Sequence, residues 1–225
     1  MRATNVICFP RLARASRSCH QSTKPKKKMK NKHYLLIAIL GLILSSFTVL
    51  KNENVTDYLS VGNTITFNAE NYNLKWSSNP SPNYYKQEYL RKEDVFPNYQ
   101  KMLIVEAIKG NLTVAQGAGA KISELENWKK RNPIVRYEKF ENKDKNEITI
   151  DFILSDGQSI YEWNVYRYQE QKSAAGNYLV LYSYSYRNYA TEKAGVDQFL
   201  DFVTKNRTET INKVIKIELP KVKTN

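Results

Sequence analysis

The chain has 225 residues and a formal net charge of +13, a value typical of proteins that bind polyanions. The charge is unevenly spread: residues 1–33 hold ten Lys and Arg and no acid, whereas the rest holds 25 Lys and Arg against 22 Asp and Glu. The larger part of the chain is therefore nearly balanced, at +3, and we do not expect a nucleic-acid partner.

Cysteine and histidine are confined to the start of the chain. Both cysteines, Cys8 and Cys19, and both histidines, His20 and His33, precede residue 34. The rest of the sequence therefore lacks the residues for a disulfide, a Cys/His zinc site, a thiol nucleophile or a histidine base. We expect a domain without cofactor or metal, and without enzymatic activity.

The stretch Tyr34–Leu50 is the one long apolar run, with seventeen residues and no charge. Its length lies at the lower limit of the ~17–25 residues that span a bilayer as a helix. Together with its basic flank, it predicts a signal or transmembrane helix and export across the inner membrane. If residues 34–50 are cleaved, the protein is periplasmic; if they are retained, it is anchored in the membrane with its C-terminal domain outside.

The segment before the apolar run has an unusual content of arginine. Residues 1–28 contain four Arg and four Lys, whereas residues 29–225 contain six Arg and 21 Lys. This difference favours Met29 as the true start, with residues 1–28 a misassigned extension. An organellar transit peptide and a disordered cytoplasmic tail are the alternatives for the basic segment 1–33.

After the run, residues 51–62 are polar and predict a tether, and residues 63–220 predict a single domain. Two prolines within Ser77–Pro82 predict a loop. The pair Asp156-Gly157 predicts a hairpin turn. Helices are expected over 114–130 and 191–213. Strands are expected over 63–68, 72–76, 83–90, 102–108, 134–140, 147–154, 161–168, 178–186 and 214–219.

This order predicts an α+β fold: an antiparallel sheet with two main helices packed on it, preceded by an N-terminal hydrophobic helix. The sixteen tyrosines of the chain favour a large sheet, because tyrosine suits a half-buried pleated surface.

The segment Tyr84-Tyr-Lys-Gln-Glu-Tyr-Leu-Arg-Lys-Glu93, followed by Tyr99-Gln-Lys-Met-Leu103, resembles a group of uncharacterised exported bacterial proteins. Their shared feature is a Tyr-x-x-Glu-Tyr-Leu strand, here Tyr85–Leu90, before a polar bend. The layout of residues 72–205 is also similar to a PsbP-like α/β/α sandwich. That resemblance implies a role in binding or assembly, and the metal chemistry of PsbP is not carried over because its histidine is absent.

Because the sequence after residue 33 has no Cys or His, carboxylates are its remaining candidate catalytic groups. Glu147 and Asp151 share one strand face, and Glu162 lies on the neighbouring strand. A convergence of the three would indicate a carboxylate-dependent hydrolase acting on envelope glycans, whereas a solvated sheet face is the alternative. The glycine-rich segment Val114–Lys121 lacks both nucleotide-binding patterns, so we expect a flexible connection or a weak helix start there.

A row of tyrosines on two neighbouring strands is the candidate binding surface. Tyr178, Tyr182, Tyr184 and Tyr186 alternate along one strand, close to two arginines, Arg167 and Arg187. If this row is exposed, it suits a protein, peptide or glycan partner; a surface covered by the terminal helix is the alternative. We therefore expect a binding or envelope-assembly module. The predicted binding residues are Tyr166, Arg167, Tyr168, Tyr182, Tyr184 and Tyr186.

Overall fold

Eight strands and two helices form in the residues described by the structure, a computed structural model of residues 55–173 and 176–224. The predicted basic segment 1–33 and the predicted signal or membrane helix 34–50 lie outside the described residues. Helix α1 spans Val114–Lys129 and helix α2 spans Lys193–Lys216. The strands are β1 Thr64–Phe67, β2 Glu70–Ser81, β3 Tyr84–Leu90, β4 Lys101–Lys109, β5 Arg136–Asn142, β6 Glu147–Ser155, β7 Ile160–Ser173 and β8 Gly176–Tyr189.

The strands form one antiparallel sheet in the order β1-β2-β3-β4-β8-β7-β6-β5. Two meanders, β1–β4 and β5–β8, are therefore joined through the pair β4 and β8, whose register runs from Lys101 opposite Tyr186 to Lys109 opposite Tyr178. Helix α1 carries the chain from the central strand β4 to the far edge at β5. Strand β4 has buried residues on both faces, as a central strand requires.

The predicted α+β fold class is wrong, because 45% of the described residues are in strands and 24% in helices. The strand content is higher than predicted because several strands are longer than the alternating patterns that predicted them. Strand β2 continues through the predicted loop Ser77–Pro82 as far as Ser81, and β7 and β8 extend into the predicted connection after Gln169. Pro80 is tolerated in β2 because the register with β3 shifts between Ser78 and Ser81, where no ladder hydrogen bond is needed.

The final strand predicted at 214–219 is also absent. Helix α2 continues through Lys216, and Ile217 then turns to an extended conformation with φ −62° and ψ 140°. The segment that follows does not form a strand. It packs against the sheet through Leu219 and Val222, which are both buried.

Each helix covers a different face of the sheet. Beneath α2, the core includes Trp163, Tyr182 and Phe199. Beneath α1, a second core includes Leu125 and Phe152.

The segment before β1 also belongs to the core beneath α2, since Leu59 is fully buried and its N–H donates to Gln87 Oε1 at 2.8 Å. From Val55 onward, the predicted tether is thus part of the domain, and residues 51–54 lie outside the described residues.

The glycine-rich segment after residue 113 forms the first two turns of α1, which is the helix start among the two alternatives expected from the sequence. A capping box closes it: Gln116 N–H donates to Thr113 Oγ1 at 3.2 Å, and Thr113 N–H donates to Gln116 Oε1 at 2.9 Å. Gly117 faces the sheet, where an added Cβ would lie 2.4 Å from Leu179 Cδ2. Gly119 has open space at the same position. The first glycine therefore permits close packing of the helix on β8, and the second has no such role.

Alanine at these two glycines should change stability in opposite directions. Gly119→Ala should raise the free energy of unfolding by about 0.5–1 kcal/mol, because alanine favours the helix and meets nothing. Gly117→Ala should lower it, because overpacking against the buried Leu179 costs about 1–3 kcal/mol and exceeds the helix gain. Urea unfolding of the full chain measures both, and stabilisation by Gly117→Ala would contradict the close approach.

Candidate functional site

The predicted tyrosine surface is divided between the two faces of the sheet. Tyr182, Tyr184 and Tyr186 point to the α2 face, whereas Tyr166 and Tyr168 point to the α1 face, as the pairing of β7 with β8 requires. Tyr182 is fully buried and Tyr184 is 5% exposed.

Tyr186 stacks on the side chain of Phe202 in α2, with ring centroids 3.8 Å apart. The tyrosine row of β8, which includes Tyr178, is therefore the sheet surface beneath the terminal helix.

Arg167 anchors the C-terminal end of α2 rather than facing solvent. Its Nη1 donates to the carbonyl oxygens of Val214 at 2.9 Å and Ile217 at 2.7 Å. Its Nη2 donates to Glu147 Oε1 at 2.7 Å, and both side chains are only 4% exposed. The guanidinium thus satisfies carbonyls that a helix end leaves without partners and offsets their negative partial charge.

The three candidate catalytic carboxylates do not converge. Glu147 and Asp151 share the α2 face, four residues apart and so about 13 Å along the strand, whereas a retaining glycosidase needs a separation of about 5–5.5 Å. Glu162 lies on the opposite face, since it pairs with Leu154.

Each carboxylate also has its own partners. Asp151 accepts from Trp163 Nε1 at 2.5 Å and from Arg207 Nε at 2.6 Å. Glu162 lies 2.6 Å from Arg187. These three carboxylates are members of three separate ion pairs, and their arrangement does not form a hydrolase site.

The α1 face carries a polar region that α1 leaves uncovered. Helix α1 lies over β5, β6 and β7, and the loop 91–100 lies over the far end of β4 and β8. Between them, the face of β2, β3, β4, β8 and β7 carries charged and polar side chains that cover buried polar residues. We call this region the polar groove. Its floor residues are Asn164 and Ser183, and its rim residues are Trp76, Tyr84, Lys86, Glu88, Glu106, Glu162, Tyr166 and Arg187.

The charges on the β3 and β4 side of the polar groove are paired with one another. Lys86 Nζ lies 2.8 Å from Glu88 and 3.8 Å from Glu106. Tyr84 donates its hydroxyl to Glu106 at 3.1 Å. Burial lowers the pKa of Lys86, but the charges of Glu88 and Glu106 outweigh it and the net pKa is raised. The ammonium group therefore stays charged and held in place.

The β7 and β8 side of the polar groove is held in place by the loop 91–100. The ring of Tyr99 covers Arg187, whose guanidinium carbon lies 4.1 Å from the ring centroid, and Arg187 pairs with Glu162. Burial lowers the pKa of Arg187, and the nearby Glu162 raises it further than burial lowers it. The charged side chains of the rim are 12–19% exposed, so they are accessible but ordered.

The floor of the polar groove holds two buried polar atoms that lack hydrogen-bond partners. Asn164 is 1% exposed and Ser183 is fully buried, yet Asn164 Nδ2 and Ser183 Oγ have no partner within the described residues. The other end of the Asn164 amide is satisfied, because Ser185 Oγ donates to Oδ1 at 2.5 Å. The carboxamide is thus fixed with its donor group free.

The sequence contains a signal for these floor residues that the large tyrosines obscure. In Tyr182-Ser-Tyr-Ser-Tyr186, the serines occupy the face opposite the tyrosines. On a central strand both faces are covered, so a small polar residue at such a position lies in the interior. Asn164, between Trp163 and Val165, follows the same pattern.

Two concave regions lie elsewhere, along the edge strand β5. One, of about 470 Å³, lies beside the turn 143–146 and reaches Ile215; the other, of about 330 Å³, lies beside Arg207 and Glu138. In the second region, Arg207 bridges Asp151 and Glu138. Neither region is lined by a buried polar atom that lacks a partner, so neither is preferred as the site.

Two further properties of the described residues bear on function. They contain no group of three or more Asp, Glu, His or Cys side chains suited to hold a metal ion. No helix in this part of the chain is both long and apolar enough to cross a membrane.

Comparison with known proteins gives one match. A family model matches residues 59–219, and that family is uncharacterised. No curated protein and no solved structure matches the chain. The matched range begins and ends at the buried Leu59 and Leu219, so it coincides with the folded domain. The Tyr-x-x-Glu-Tyr-Leu motif and the PsbP-like layout are not confirmed by this match.

The buried tyrosines predict a loss of stability at alkaline pH. Burial raises the pKa of each, so the native state keeps phenol protons that the unfolded chain releases above about pH 10. The free energy of unfolding should therefore fall as the pH rises above that value, by about 1.4 kcal/mol per pH unit for each such tyrosine. The tyrosines with raised pKa values include Tyr72, Tyr84, Tyr89, Tyr99, Tyr166, Tyr168, Tyr182 and Tyr184.

Urea unfolding over this pH range, followed together with phenolate absorbance, measures the effect. The phenolate signal of these tyrosines should appear with unfolding. Titration of these tyrosines in the folded protein near the ordinary pKa would contradict their burial.

Loss of Arg167 should be strongly destabilising. Arg167→Leu leaves the buried Glu147 carboxylate without its charge partner, which typically costs about 3–5 kcal/mol. The double variant with Glu147→Leu should recover part of the loss, because no unpaired charge remains. Lys139→Ala is the matched control: its partner Glu141 is 41% exposed, and the unfolding midpoint should not change. An equally small effect of Arg167→Leu would show that Arg167 does not anchor the C-terminal end of α2.

Proposed function

We propose, for a chain that belongs to this uncharacterised family, that it is a binding module of the cell envelope and that the polar groove is its site. The observation that carries the proposal is the unpartnered pair Asn164 Nδ2 and Ser183 Oγ, buried beneath an ordered rim of side chains.

A buried polar group without a partner is costly to a folded protein. Each one lowers stability by about 1–3 kcal/mol, and native proteins rarely keep such groups without a reason. Replacement by valine or alanine would remove the cost at both positions. A ligand oxygen that moves the covering rim side chains aside, accepts from Asn164 and exchanges a hydrogen bond with Ser183 would supply that reason, because a binding site trades stability for function.

The state of the rim favours binding over catalysis. Lys86 lies between Glu88 and Glu106, which leaves this cluster with a net charge of −1, and Arg187 and Glu162 neutralise each other. A catalytic acid or base needs freedom to gain or lose a proton near neutral pH, whereas the raised pKa values of Lys86 and Arg187 keep both of these cations charged. Such a surface presents fixed donors and acceptors, which is what recognition requires.

The proposed location rests on the apolar run Tyr34–Leu50 and its basic flank. Export is consistent with a domain that has no cysteine to oxidise. The mass of the mature protein distinguishes a cleaved signal from a retained anchor, and hence a periplasmic form from a membrane-anchored one.

Two serines of β8 provide a matched test of the floor. Ser183 and Ser185 are both fully buried on the same face, but only the hydroxyl of Ser185 has a partner. Ser183→Ala should raise the free energy of unfolding by about 1 kcal/mol, because it removes an unsatisfied group. Ser185→Ala should lower it by about 1–3 kcal/mol, because it leaves Asn164 Oδ1 without a donor.

Urea unfolding of the full chain, at equal m-values, measures both variants. Destabilisation by Ser183→Ala comparable to that by Ser185→Ala would mean that Ser183 is already satisfied in the free protein. The groove floor would then hold no vacant hydrogen-bonding capacity, and the proposal would fail.

A further inference from the structure

We infer that the cavity beside the turn 143–146 is a second binding site, and that it takes a small aliphatic amine in its ammonium form. The cavity lies on the α2 face, next to the C-terminal end of that helix, so it is separate from the polar groove and does not rest on the function proposed for the groove. Three features select this ligand class: a buried hydroxyl without a partner, a fixed carboxylate with one oxygen free, and apolar walls.

The buried hydroxyl belongs to Thr149. The residue is 4% exposed, and its hydroxyl has no hydrogen-bond partner within the described residues. Asn164 Nδ2 and Ser183 Oγ are enclosed, whereas Thr149 Oγ1 still borders the cavity of about 470 Å³. A hydroxyl donates one hydrogen bond and accepts two. Thr149 therefore offers an accepting oxygen that a ligand can reach through existing space.

Glu147 supplies negative charge inside the cavity. Its Oε1 accepts from Arg167 Nη2 at 2.7 Å and from Gln169 Nε2 at 2.6 Å, which holds the carboxylate in place. Its Oε2 has no partner in the part of the chain that the structure describes, and Glu147 lines the cavity whereas Arg167 does not. The acidic member of this ion pair therefore faces the cavity, where it attracts a cation and repels an anion.

Glu147 and Thr149 are placed to hold one nitrogen atom between them. They are two residues apart on the same face of β6, so their Cα atoms are about 7 Å apart. An ammonium group carries three donors on one atom and can bond to both side chains, whereas a hydroxyl has a single donor. The pair of acceptors therefore favours a primary ammonium over a neutral alcohol.

Apolar side chains on either side suit an alkyl chain. Phe140 lies directly opposite Thr149 in the pairing of β5 with β6, and Ile215 lines the cavity from α2; both are half-buried. An ammonium held at Thr149 would lie beside the Phe140 ring, whose face attracts cations, and its methylene groups would cover both apolar side chains. The cavity volume falls within the range of about 300–1,000 Å³ that is typical of small-molecule sites.

The mouth of the cavity carries two exposed charges on a fixed turn. Lys143 and Asp144 both line the cavity, and neither has an ion pair among the described residues. The turn is held by hydrogen bonds from Asn146 N–H to Lys143 O at 3.3 Å and from Lys145 N–H to Asn142 Oδ1 at 3.2 Å. Because Lys143 has the same charge as the proposed ligand, it should compete with that ligand for the cavity.

Four ligands with the same four-carbon chain separate charge from hydrogen bonding. n-Butylammonium has both charge and donors, butyltrimethylammonium has charge without donors, 1-butanol is neutral, and butyrate is anionic. Titration of the full chain with each ligand, followed through the NMR resonances of the ligand, gives the dissociation constants. n-Butylammonium should bind at least about tenfold more tightly than each of the others, which corresponds to about 1.4 kcal/mol.

Variants locate the binding on the protein. Thr149→Val should weaken n-butylammonium binding about tenfold without lowering the free energy of unfolding in urea, because the free protein loses no hydrogen bond. Lys143→Ala should strengthen binding several-fold, because a competing like charge is removed. Lys145→Ala changes the same turn outside the cavity lining, so it is the matched control and should bind as the wild type does.

Each outcome decides the inference. Binding of 1-butanol, butyltrimethylammonium or butyrate as tight as that of n-butylammonium overturns the ligand class. Unchanged affinity in Thr149→Val, or no binding of n-butylammonium to the wild type and to Lys143→Ala, overturns the site. Lys143 is exposed, so Lys143→Ala decides the inference even if Thr149→Val fails to fold: an affinity that does not rise overturns it. None of these results bears on the polar groove, which the two serine variants of β8 test separately.

Discussion

The pairing of β4 with β8 is the constraint on which the rest of this structure depends. Each meander is a locally connected set of hairpins, and among the described strands β4 and β8 are the pair that joins the two meanders in one sheet. The pair lies at the centre of the sheet, so both of its faces are covered. The side chains of β8 from Tyr178 to Ser185 are all buried in one of two interiors, and their alternation determines what each interior contains.

The alternation of tyrosine and serine along β8 makes the two sides of the sheet unequal. On the α2 side, Tyr182 and Tyr184 fill the space between sheet and helix. On the other side, Ser183 and Ser185 occupy little volume, and α1 packs on β8 at Leu179 instead. The same five residues thus build an aromatic core on one face and a buried polar layer on the opposite face. The polar groove is the result of side-chain size as much as of polarity.

The sequence allowed many single elements to be predicted, because local patterns determine them. The alternation of Glu147–Leu154 predicted β6, and the Asp156-Gly157 pair predicted the turn to β7. The fold class was wrong because strand ends are set by pairing partners rather than by the residues themselves. Strand β2 passes through Pro80 since a register shift removes the need for its N–H.

The candidate site could be predicted less well, for a related reason. Alternation shows which residues share a face, but it does not show which face a helix covers. Arg167 looked like a binding residue beside tyrosines, and its true partners are carbonyl oxygens some fifty residues later in the chain. Asn164 and Ser183 are inconspicuous in the sequence, and only their burial without partners makes them candidates.

One backbone hydrogen bond has a consequence for how this domain can be engineered. Lys223 N–H donates to the carbonyl oxygen of Leu59 at 2.9 Å, so the first and last described segments lie side by side. A short connection between them would make the fold continuous, and new ends could then be opened at the exposed turn 143–146 between β5 and β6. In such a circular permutant, β6 would come first and β5 last, and the sheet order would be kept. Because both original segments meet beneath α2, a fusion at either of them leaves the opposite face of the sheet unobstructed.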